Sequence, residues 1–309
     1  MSNDRHKHGE NIVCNTESWE TVGYRYSQED RFIIAPVGHG TIAAVMDGHG
    51  GVEAADMVME NMVADFSREF RRLYELDDKR NWLTIKEERM VMRRTVAKLV
   101  KRCRSLEAGT TLSFVYTHAI ISDGADEPTM RTHIAILGDS PVAILNGNRT
   151  TVMPIHSARH HKSDKKKIDK KISNVSLIMR ERKRQLRDRE VPMMSAATFD
   201  GYVYTNRNSW DSRGLAMTRA IGDADFGDLL IRTADIRTYD LPIDAVILIA
   251  TDGIEDNGLT DPIKDQCKWI LDRVKTGDRL ESIGSRISPS HDNTTMLTMR
   301  FSEVSARWR

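Results

Sequence analysis

The chain has 309 residues, of which 39% are hydrophobic and 29% are charged, and its formal net charge is +1. This composition excludes a disordered chain, and the balanced charge gives the whole protein no strong attraction to nucleic acid or to an anionic membrane. The three cysteines are widely spaced and suggest neither a disulfide framework nor a zinc-binding pair, so we expect reduced thiols.

In chain order, the polar residues 1–20 predict a flexible N-terminal arm that lacks the apolar region of a signal peptide. Two short strands are predicted at 31–37 and 41–46, joined by a turn that contains glycine. Apolar residues then recur at helical spacing from 52 to 73, and a second helix is predicted at 82–104.

Apolar and β-branched runs predict the remaining strands, and one amphipathic run predicts a further helix. The strands are expected at 110–120, 132–137, 142–145, 245–250 and 294–301, and the helix at 261–275. This order, with many hairpin-like connections, favours an α+β domain with largely antiparallel sheets. No stretch approaches the roughly 18 apolar residues of a membrane span, so we expect a cytoplasmic or nuclear protein without a membrane segment.

The segment at 153–213 departs from this pattern because it is polar and strongly basic, as in "SARHHKSDKKKIDKK". We interpret it as an insertion or a mobile subdomain on the main fold. Its basic run could be a nuclear address, an anion-binding surface, a docking surface or a solvated face, and the last two are favoured. We expect its histidines, His156, His160 and His161, to be solvated.

Three apolar strands end on an aspartate, at Asp47, Asp139 and Asp252, and Asp292 lies at the start of the last strand. Carboxylates gathered at the end of a sheet repel one another and lose hydration, which is unfavourable unless a cation or a proton compensates. Hard divalent cations such as Mg²⁺ and Mn²⁺ prefer oxygen ligands. The pattern therefore favours a polynuclear metal site, although a single aspartate at a strand end is usually a turn residue, and spacing alone leaves both interpretations open.

Six segments form an ordered set that runs through most of the chain. They are "GYRYSQED" (23–30), "MDGHGG" (46–51), "LGDSPVAIL" (137–145), "GLAMTRAIGDADF" (214–226), "ATDGIEDN" (250–257) and "HDNTTMLTMRF" (291–301). Together they resemble the motifs of the metal-dependent serine/threonine protein phosphatases of the 2C (PPM) family. The resemblance implies a four-layer αββα sandwich of two antiparallel sheets flanked by helices. It implies a catalytic domain at 21–309, with the basic segment at about 153–213 as a flap.

The resemblance also implies a set of metal ligands. Asp47 would bridge two Mg²⁺ or Mn²⁺ ions, and the Gly48 carbonyl would help to hold one of them. Asp252 and Asp292 would hold the other ion. A glycine at position 48 suits this role because it has no Cβ to obstruct a close approach.

Further acids would act more indirectly. Glu29, and Asp30 with it, would act through metal-bound waters, while Asp139 and Asp256 would support a weaker third ion. The chain departs from the family at Glu255, which stands where a bulky apolar residue is common and adds a carboxylate near the predicted site. This departure puts the third-ion region in doubt.

The implied activity is hydrolysis of phosphoserine and phosphothreonine in proteins by attack of a metal-bridging water. Two cations about 3.5–4 Å apart neutralise the phosphate and lower the pKa of the water between them. Arg25 would hold the substrate phosphate with its planar fork, and His49 would protonate the leaving alkoxide. Asp223 lies in the Gly-Asp element and could shape that loop rather than contact a metal ion.

The expected partners are phosphorylated protein substrates, and a monomer is expected. An alternative is a catalytically inactive pseudophosphatase that binds partner proteins, and the complete acid set disfavours it. Nucleic-acid binding through the basic segment is not expected because that segment has no aromatic stacking platform.

Overall fold

A computed structural model describes most of the chain and contains two five-stranded antiparallel sheets with helices on their outer faces. The described residues are 12–74, 83–121, 127–159, 161–171, 198–199, 202–204, 214–255, 261–287 and 291–303.

Sixteen strands and five α-helices lie within these residues. The strands are β1 (Ile12–Thr21), β2 (Arg31–Val37), β3 (Gly40–Met46), β4 (Gly48–His49), β5 (Gly109–Thr110), β6 (Leu112–Ile120), β7 (Thr129–Leu137), β8 (Val142–Asn146), β9 (Arg149–Val152), β10 (Thr198–Phe199), β11 (Tyr202–Tyr204), β12 (Gly214–Leu215), β13 (Ile221–Gly222), β14 (Asp235–Leu241), β15 (Val246–Ala250) and β16 (Thr294–Glu303). The helices are α1 (Glu53–Tyr74), α2 (Ile85–Arg102), α3 (162–171), α4 (Pro262–Lys275) and α5 (Leu280–Ile287). Short 3-10 helices occur at Ala224–Phe226 and Asp252–Ile254.

The two large sheets stack face to face, which confirms the predicted αββα sandwich. One sheet has the strand order β14-β7-β6-β3-β2 and the other has β1-β16-β15-β8-β9, and neighbouring strands are antiparallel throughout. Alternate residues of β3 divide between two cores, as the two-residue period of a strand requires. Ala43 and Val45 pack between the sheets, whereas Ile42, Ala44 and Met46 face α1 and α2.

The helices cover the sheets with apolar faces at the predicted spacing. The buried face of α1 includes Ala55, Val58, Met62 and Phe66, which recur every three or four residues. Thr84 begins α2 with a capping box, because its hydroxyl accepts from the Glu87 amide and the Glu87 side chain accepts from the Thr84 amide. None of the described helices is long and apolar enough to cross a bilayer.

The prediction of a flexible arm at 1–20 is wrong for residues 12–20, which belong to β1 and pair with β16 along their length. Trp19 packs so closely against Gly284 of α5 that a Cβ on the glycine would overlap the indole ring. The strand was missed because it is a polar edge strand whose side chains alternate between half-buried and exposed. Residues 1–11 lie outside the described residues, and the domain boundaries remain a prediction.

The basic segment also differs from its prediction. It includes α3, and two of its three histidines are buried or nearly so: His156 is fully buried, and the His161 side chain is 17% exposed. His156 accepts from the Gly138 amide through Nδ1 (3.2 Å) and contacts Asp235 through Nε2 (3.2 Å). The prediction of solvated histidines is therefore wrong for His156, and His160 lies outside the described residues.

Candidate functional site

The aspartates at the strand ends converge at one end of the sandwich, where the two sheets meet. Asp47 follows β3 in one sheet, while Asp252 follows β15 and Asp292 precedes β16 in the other. Asp139 follows β7 and belongs to the same group, because its carboxylate is repelled by Asp252 and Asp292. Residues from opposite ends of the chain thus form one acidic cluster.

Backbone contacts fix the position of Asp47. Its amide donates to the Thr111 hydroxyl (3.0 Å), and its carbonyl accepts from the Thr111 amide (2.9 Å) and the Thr110 hydroxyl (3.1 Å). The Thr111 hydroxyl also contacts the Ser140 hydroxyl (2.6 Å), beside Asp139. These threonine and serine hydroxyls tie the turns that carry Asp47 and Asp139 to each other.

The carboxyl groups of the cluster are strongly perturbed. Burial is the largest cause, and it raises the pKa of Asp47 and of Asp139 well above the usual range, with repulsion from Asp252 adding to it. Burial, with repulsion from Asp292, raises the pKa of Asp252 to about 6, and a hydrogen bond with Asp47 opposes this. Burial also raises the pKa of Asp30 to about 7. A compensating positive charge would favour the ionised carboxylates.

Two buried oxygen atoms of the cluster lack a hydrogen-bond donor among the described residues. They are Asp30 Oδ1 and Asp139 Oδ1. The other oxygen of Asp30 accepts from the hydroxyls of Thr251 and Thr295, both at 2.9 Å. Buried carboxylate oxygens without donors are the ligands that a hard cation prefers, so this donor set fits Mg²⁺ or Mn²⁺.

The carboxylates are spread over a wider region than the ligands of a single ion. In the described part of the chain, sets of three or more potential ligand atoms within 4.8 Å of one another occur outside the acidic cluster. One such set is His156 with His161 and Asp164. Arg219 already pairs with both oxygens of Asp164. A spread set of oxygen ligands suits cations that retain part of their water shell, as Mg²⁺ does.

The loop before β2 is fastened to the start of β16 by Asn293. The Asn293 side-chain amide donates to the carbonyls of Val22 (2.9 Å) and Ser27 (3.0 Å), and its oxygen accepts from the Glu29 amide (2.7 Å). A Cβ at Gly48 would overlap the Glu29 carbonyl, so glycine is required where this loop approaches β4. Glu29 and Gly48 are therefore held together beside Asp47.

Arg25 lies on the same loop, at the exposed rim of the cluster. Its Nη2 donates to Asp292 Oδ2 (2.7 Å), and its Nε donates to the His291 carbonyl (3.2 Å). The side chain is 55% exposed. A half-exposed guanidinium held beside the acids could receive an anion from solvent.

His49 lies on β4, next to Gly48, and the structure gives it a partner that the sequence did not predict. His49 Nε2 is 3.0 Å from each carboxylate oxygen of the buried Asp223. The structure therefore places Asp223 against a predicted catalytic residue rather than in an isolated loop. Asn293, Thr251 and Asp223 were missed as site residues, and their only signal was a polar side chain within or beside a predicted motif.

Two acids follow the short 3-10 helix at Asp252–Ile254. Glu255 is exposed, and its charge helps to raise the pKa of Asp139 and of Asp252, although burial is the larger cause for both. The extra carboxylate thus lies near the cluster, as its position in the sequence indicated. Asp256 lies outside the described residues.

Comparison with known proteins identifies one matching family. The sequence profile described as protein phosphatase 2C matches residues 20–268. The fold is similar to that of a phosphatase from a pathogenic strain of Toxoplasma gondii, with 15% identity and a TM-score of 0.64 over 96% of this chain and 95% of that chain. It is also similar to a serine-threonine phosphatase 2C from Toxoplasma gondii, with 16% identity and a TM-score of 0.60 over 98% of this chain and 100% of that one.

A third similar structure is that of a C. elegans sex determining protein, with 16% identity and a TM-score of 0.58. The match covers 92% of this chain but only 64% of that protein, so the present chain spans less than two thirds of its length. At these identities the three structures establish a shared fold.

Proposed function

The chain belongs to the protein phosphatase 2C family, and we propose that it is an active Mg²⁺- or Mn²⁺-dependent phosphatase acting on phosphoserine and phosphothreonine in proteins. The observation that carries this proposal is the convergence of aspartates from both sheets at one end of the sandwich, where Asp139 is buried and Asp47 and Asp252 are partly buried. Burying mutually repelling carboxylates costs stability in the absence of cations. Such a cost is expected where the acids serve a function.

The ligands of the proposal are those that the family motifs indicate. Asp47, the Gly48 carbonyl, Asp252 and Asp292 would hold two ions. Glu29 would act through water molecules bound to these ions. Asp139 and Asp256 would support a weaker third ion. Bound ions would neutralise the phosphate and lower the pKa of a water molecule that attacks phosphorus.

Arg25 would orient the substrate. Its pairing with Asp292 through one nitrogen holds the planar guanidinium in place, and the exposed part of its fork remains accessible from solvent. A fork of this kind can hold two phosphate oxygens at once. Its removal should therefore raise KM for a phosphopeptide more than it lowers kcat.

His49 would supply the proton that the leaving serine or threonine oxygen needs. An alkoxide is a poor leaving group, so a general acid at this point is worth about 10²–10⁴-fold in rate. The His49 side chain is 20% exposed, which allows exchange of its proton with water between turnovers.

The test is hydrolysis of p-nitrophenyl phosphate and of a phosphothreonine peptide with Mn²⁺, with Mg²⁺ and with EDTA. Asp47→Asn and Asp252→Asn should each lower turnover at least about 100-fold, because changes even to groups that only orient metal ligands cost about 10–100-fold. Asp244→Asn is the matched control, since Asp244 is exposed at the opposite end of β15. Calorimetric titration with Mn²⁺ should show binding that both site variants weaken.

The alternative is a pseudophosphatase scaffold. A folded wild-type chain that hydrolyses neither substrate at any metal concentration would favour this alternative. The exposed Glu255, which adds negative charge to the third-ion region, would then be the first residue to exchange for an apolar one.

A further inference from the structure

His49 and Asp223 are 174 positions apart in the sequence, yet their side chains meet with a defined geometry. Both carboxylate oxygens of Asp223 lie 3.0 Å from His49 Nε2. A carboxylate has only acceptor atoms, so Nε2 must carry the proton of this contact. The other ring nitrogen, Nδ1, is buried and has no hydrogen-bond partner among the described residues. Nδ1 is therefore the ring nitrogen that the contact with Asp223 does not occupy.

The contact lies beside the small three-stranded sheet β13-β5-β4. His49 of β4 pairs with Gly109 of β5, and Gly109 pairs in turn with Gly222 of β13, directly before Asp223. A Cβ at Gly109 would overlap both Asp223 Oδ2 and His49 Nε2. The glycine thus leaves the space in which the two side chains meet.

Asp223 is also held in an unfavourable backbone conformation. Its φ of 50° is left-handed, and no other non-glycine residue in the described part of the chain has a positive φ. Its amide donates to the Ala108 carbonyl (3.1 Å), and its carbonyl accepts from Arg232 Nη2 (3.1 Å). Strained residues that the surrounding structure holds this firmly are concentrated at functional sites.

We infer that Asp223 is a positioning residue that holds the His49 imidazole by its Nε2–H and so presents Nδ1 to the leaving oxygen of the substrate. The inference rests on the proposed phosphatase function and extends it to a residue that the predicted site did not include. A carboxylate that orients a histidine in this way fixes both the tautomer and the direction of the ring.

The proton balance of the step is simple. When the P–O bond breaks, its electron pair stays on the leaving serine or threonine oxygen, and the Nδ1 proton passes to that oxygen. The imidazole becomes neutral and keeps its Nε2–H on Asp223. The attacking water forms the new P–O bond and releases a proton to solvent, and solvent returns one proton to the partly exposed imidazole before the next turnover.

The variants are chosen so that the fold is preserved. Asn and Gly both tolerate the left-handed backbone at position 223, so Asp223→Asn and Asp223→Gly remove the charge or the whole side chain without new strain. Asp225→Asn is the matched control, because Asp225 is an exposed aspartate in the adjoining 3-10 helix. His49→Gln and the double variant with Asp223→Gly complete a double-mutant cycle.

The first measurement compares kcat/KM for a poor leaving group, phenyl phosphate, with that for a good one, p-nitrophenyl phosphate. Both Asp223 variants should lose roughly 30-fold on phenyl phosphate and less than about 3-fold on p-nitrophenyl phosphate, because only the poor leaving group needs the acid. Adding Asp223→Gly to His49→Gln should cause no further loss. Equal losses on both substrates, or additive losses in the double variant, would overturn the inference.

The second measurement does not depend on turnover. In ¹⁵N-labelled full-length protein, the His49 ring signals are identified by their absence in His49→Gln. They should show Nε2 protonated in the wild type, shift in Asp223→Gly, and stay unchanged in Asp225→Asn. Unchanged His49 signals in Asp223→Gly would refute positioning, whereas shifted signals in a chain without turnover would retain positioning and reject the phosphatase proposal.

Discussion

Glu88 of α2 offers a sharp test of how electrostatics stabilise this fold. The carboxylate is 3% exposed and lies between two imidazoles, with Oε1 2.8 Å from His118 Nε2 and Oε2 2.8 Å from His133 Nε2. His133 Nδ1 contacts the Thr238 hydroxyl at 2.9 Å. The cluster joins α2 to three neighbouring strands of one sheet, so its loss should weaken the packing of that helix.

The size of the effect follows from the pKa of Glu88. Burial alone would raise it, but the hydrogen bonds and charges of His118 and His133 outweigh burial and lower the pKa from 4.5 to about 2. A shift of this size corresponds to on the order of 3 kcal/mol in favour of the folded state. Because the folded pKa is depressed, this stability is fully present above pH 4.5 and is lost as the pH falls toward 2.

Glu88→Gln should therefore lower the free energy of unfolding by on the order of 3 kcal/mol at pH 5, which is a decrease in Tm of roughly 5–10 °C. Urea unfolding followed by far-UV circular dichroism, repeated from pH 7 down to pH 3.5, measures both the difference and its pH dependence. Glu60→Gln is the control, since Glu60 is exposed on α1 and should change stability by less than about 0.5 kcal/mol.

Two results would contradict this reasoning. If Glu88→Gln and Glu60→Gln unfolded at the same urea concentration, the buried pairs with the histidines would contribute nothing measurable. If the difference between wild type and Glu88→Gln grew as the pH fell below 4.5, the sign of the linkage would be wrong.

Three further predictions concern the acidic cluster. Asn293→Ala should destabilise the protein by roughly 2 kcal/mol in thermal unfolding, because it removes three partly buried hydrogen bonds; an unchanged Tm would show that other contacts hold the loop. Gly253→Ala should lower Tm more than Gly147→Ala, because a Cβ at Gly253 overlaps the Asn293 carbonyl, whereas at Gly147 nothing lies within 4 Å and the cost is only that of its left-handed φ of 57°; equal effects would refute this. Asp139→Asn should raise the Tm of the protein in EDTA while reducing the increase that Mn²⁺ causes, because it removes one repelling buried carboxylate; a lower Tm in EDTA would oppose the repulsion argument.

The sequence predicted most of the fold because its strongest patterns come from burial. Strands such as β3 and β15 are apolar on both faces, as expected of strands covered on both sides, and α1 keeps a regular apolar face. The polar edge strand β1 was missed because its backbone groups pair with β16 while four of its ten residues are exposed and the other six are only partly buried. Local polarity does not distinguish such a strand from a loop.

Histidines in the basic segment show the same limit in another form. Local composition predicted solvated side chains, yet His156 is fully buried against Asp235 and the Gly138 amide. The burial comes from a network that includes Arg219 and Asp164, residues more than 50 positions apart in sequence. Such burial depends on tertiary contacts, which composition alone does not indicate.

The candidate site was predictable in its acids but not in its supporting groups. An aspartate that ends an apolar run is visible in the sequence, so the convergence of Asp47 and Asp252 could be expected from the order of strands. The pairing of His49 with Asp223 could not, because it depends on the register of β13, β5 and β4, three strands of two residues each.

The spacing of the aspartates alone left open whether they form a cation site or a set of ordinary turns. Their hydrogen bonding favours the cation site. An aspartate in a surface turn satisfies its carboxylate with backbone amides or with water. Asp30 and Asp139 are 1% and 4% exposed, and each keeps one buried oxygen without a donor in the described chain. A surface turn does not require a buried carboxylate oxygen without a hydrogen-bond donor, whereas a divalent cation binds such an oxygen. The cost of burying these acids is therefore easier to explain as a requirement of metal binding than as a feature of the fold.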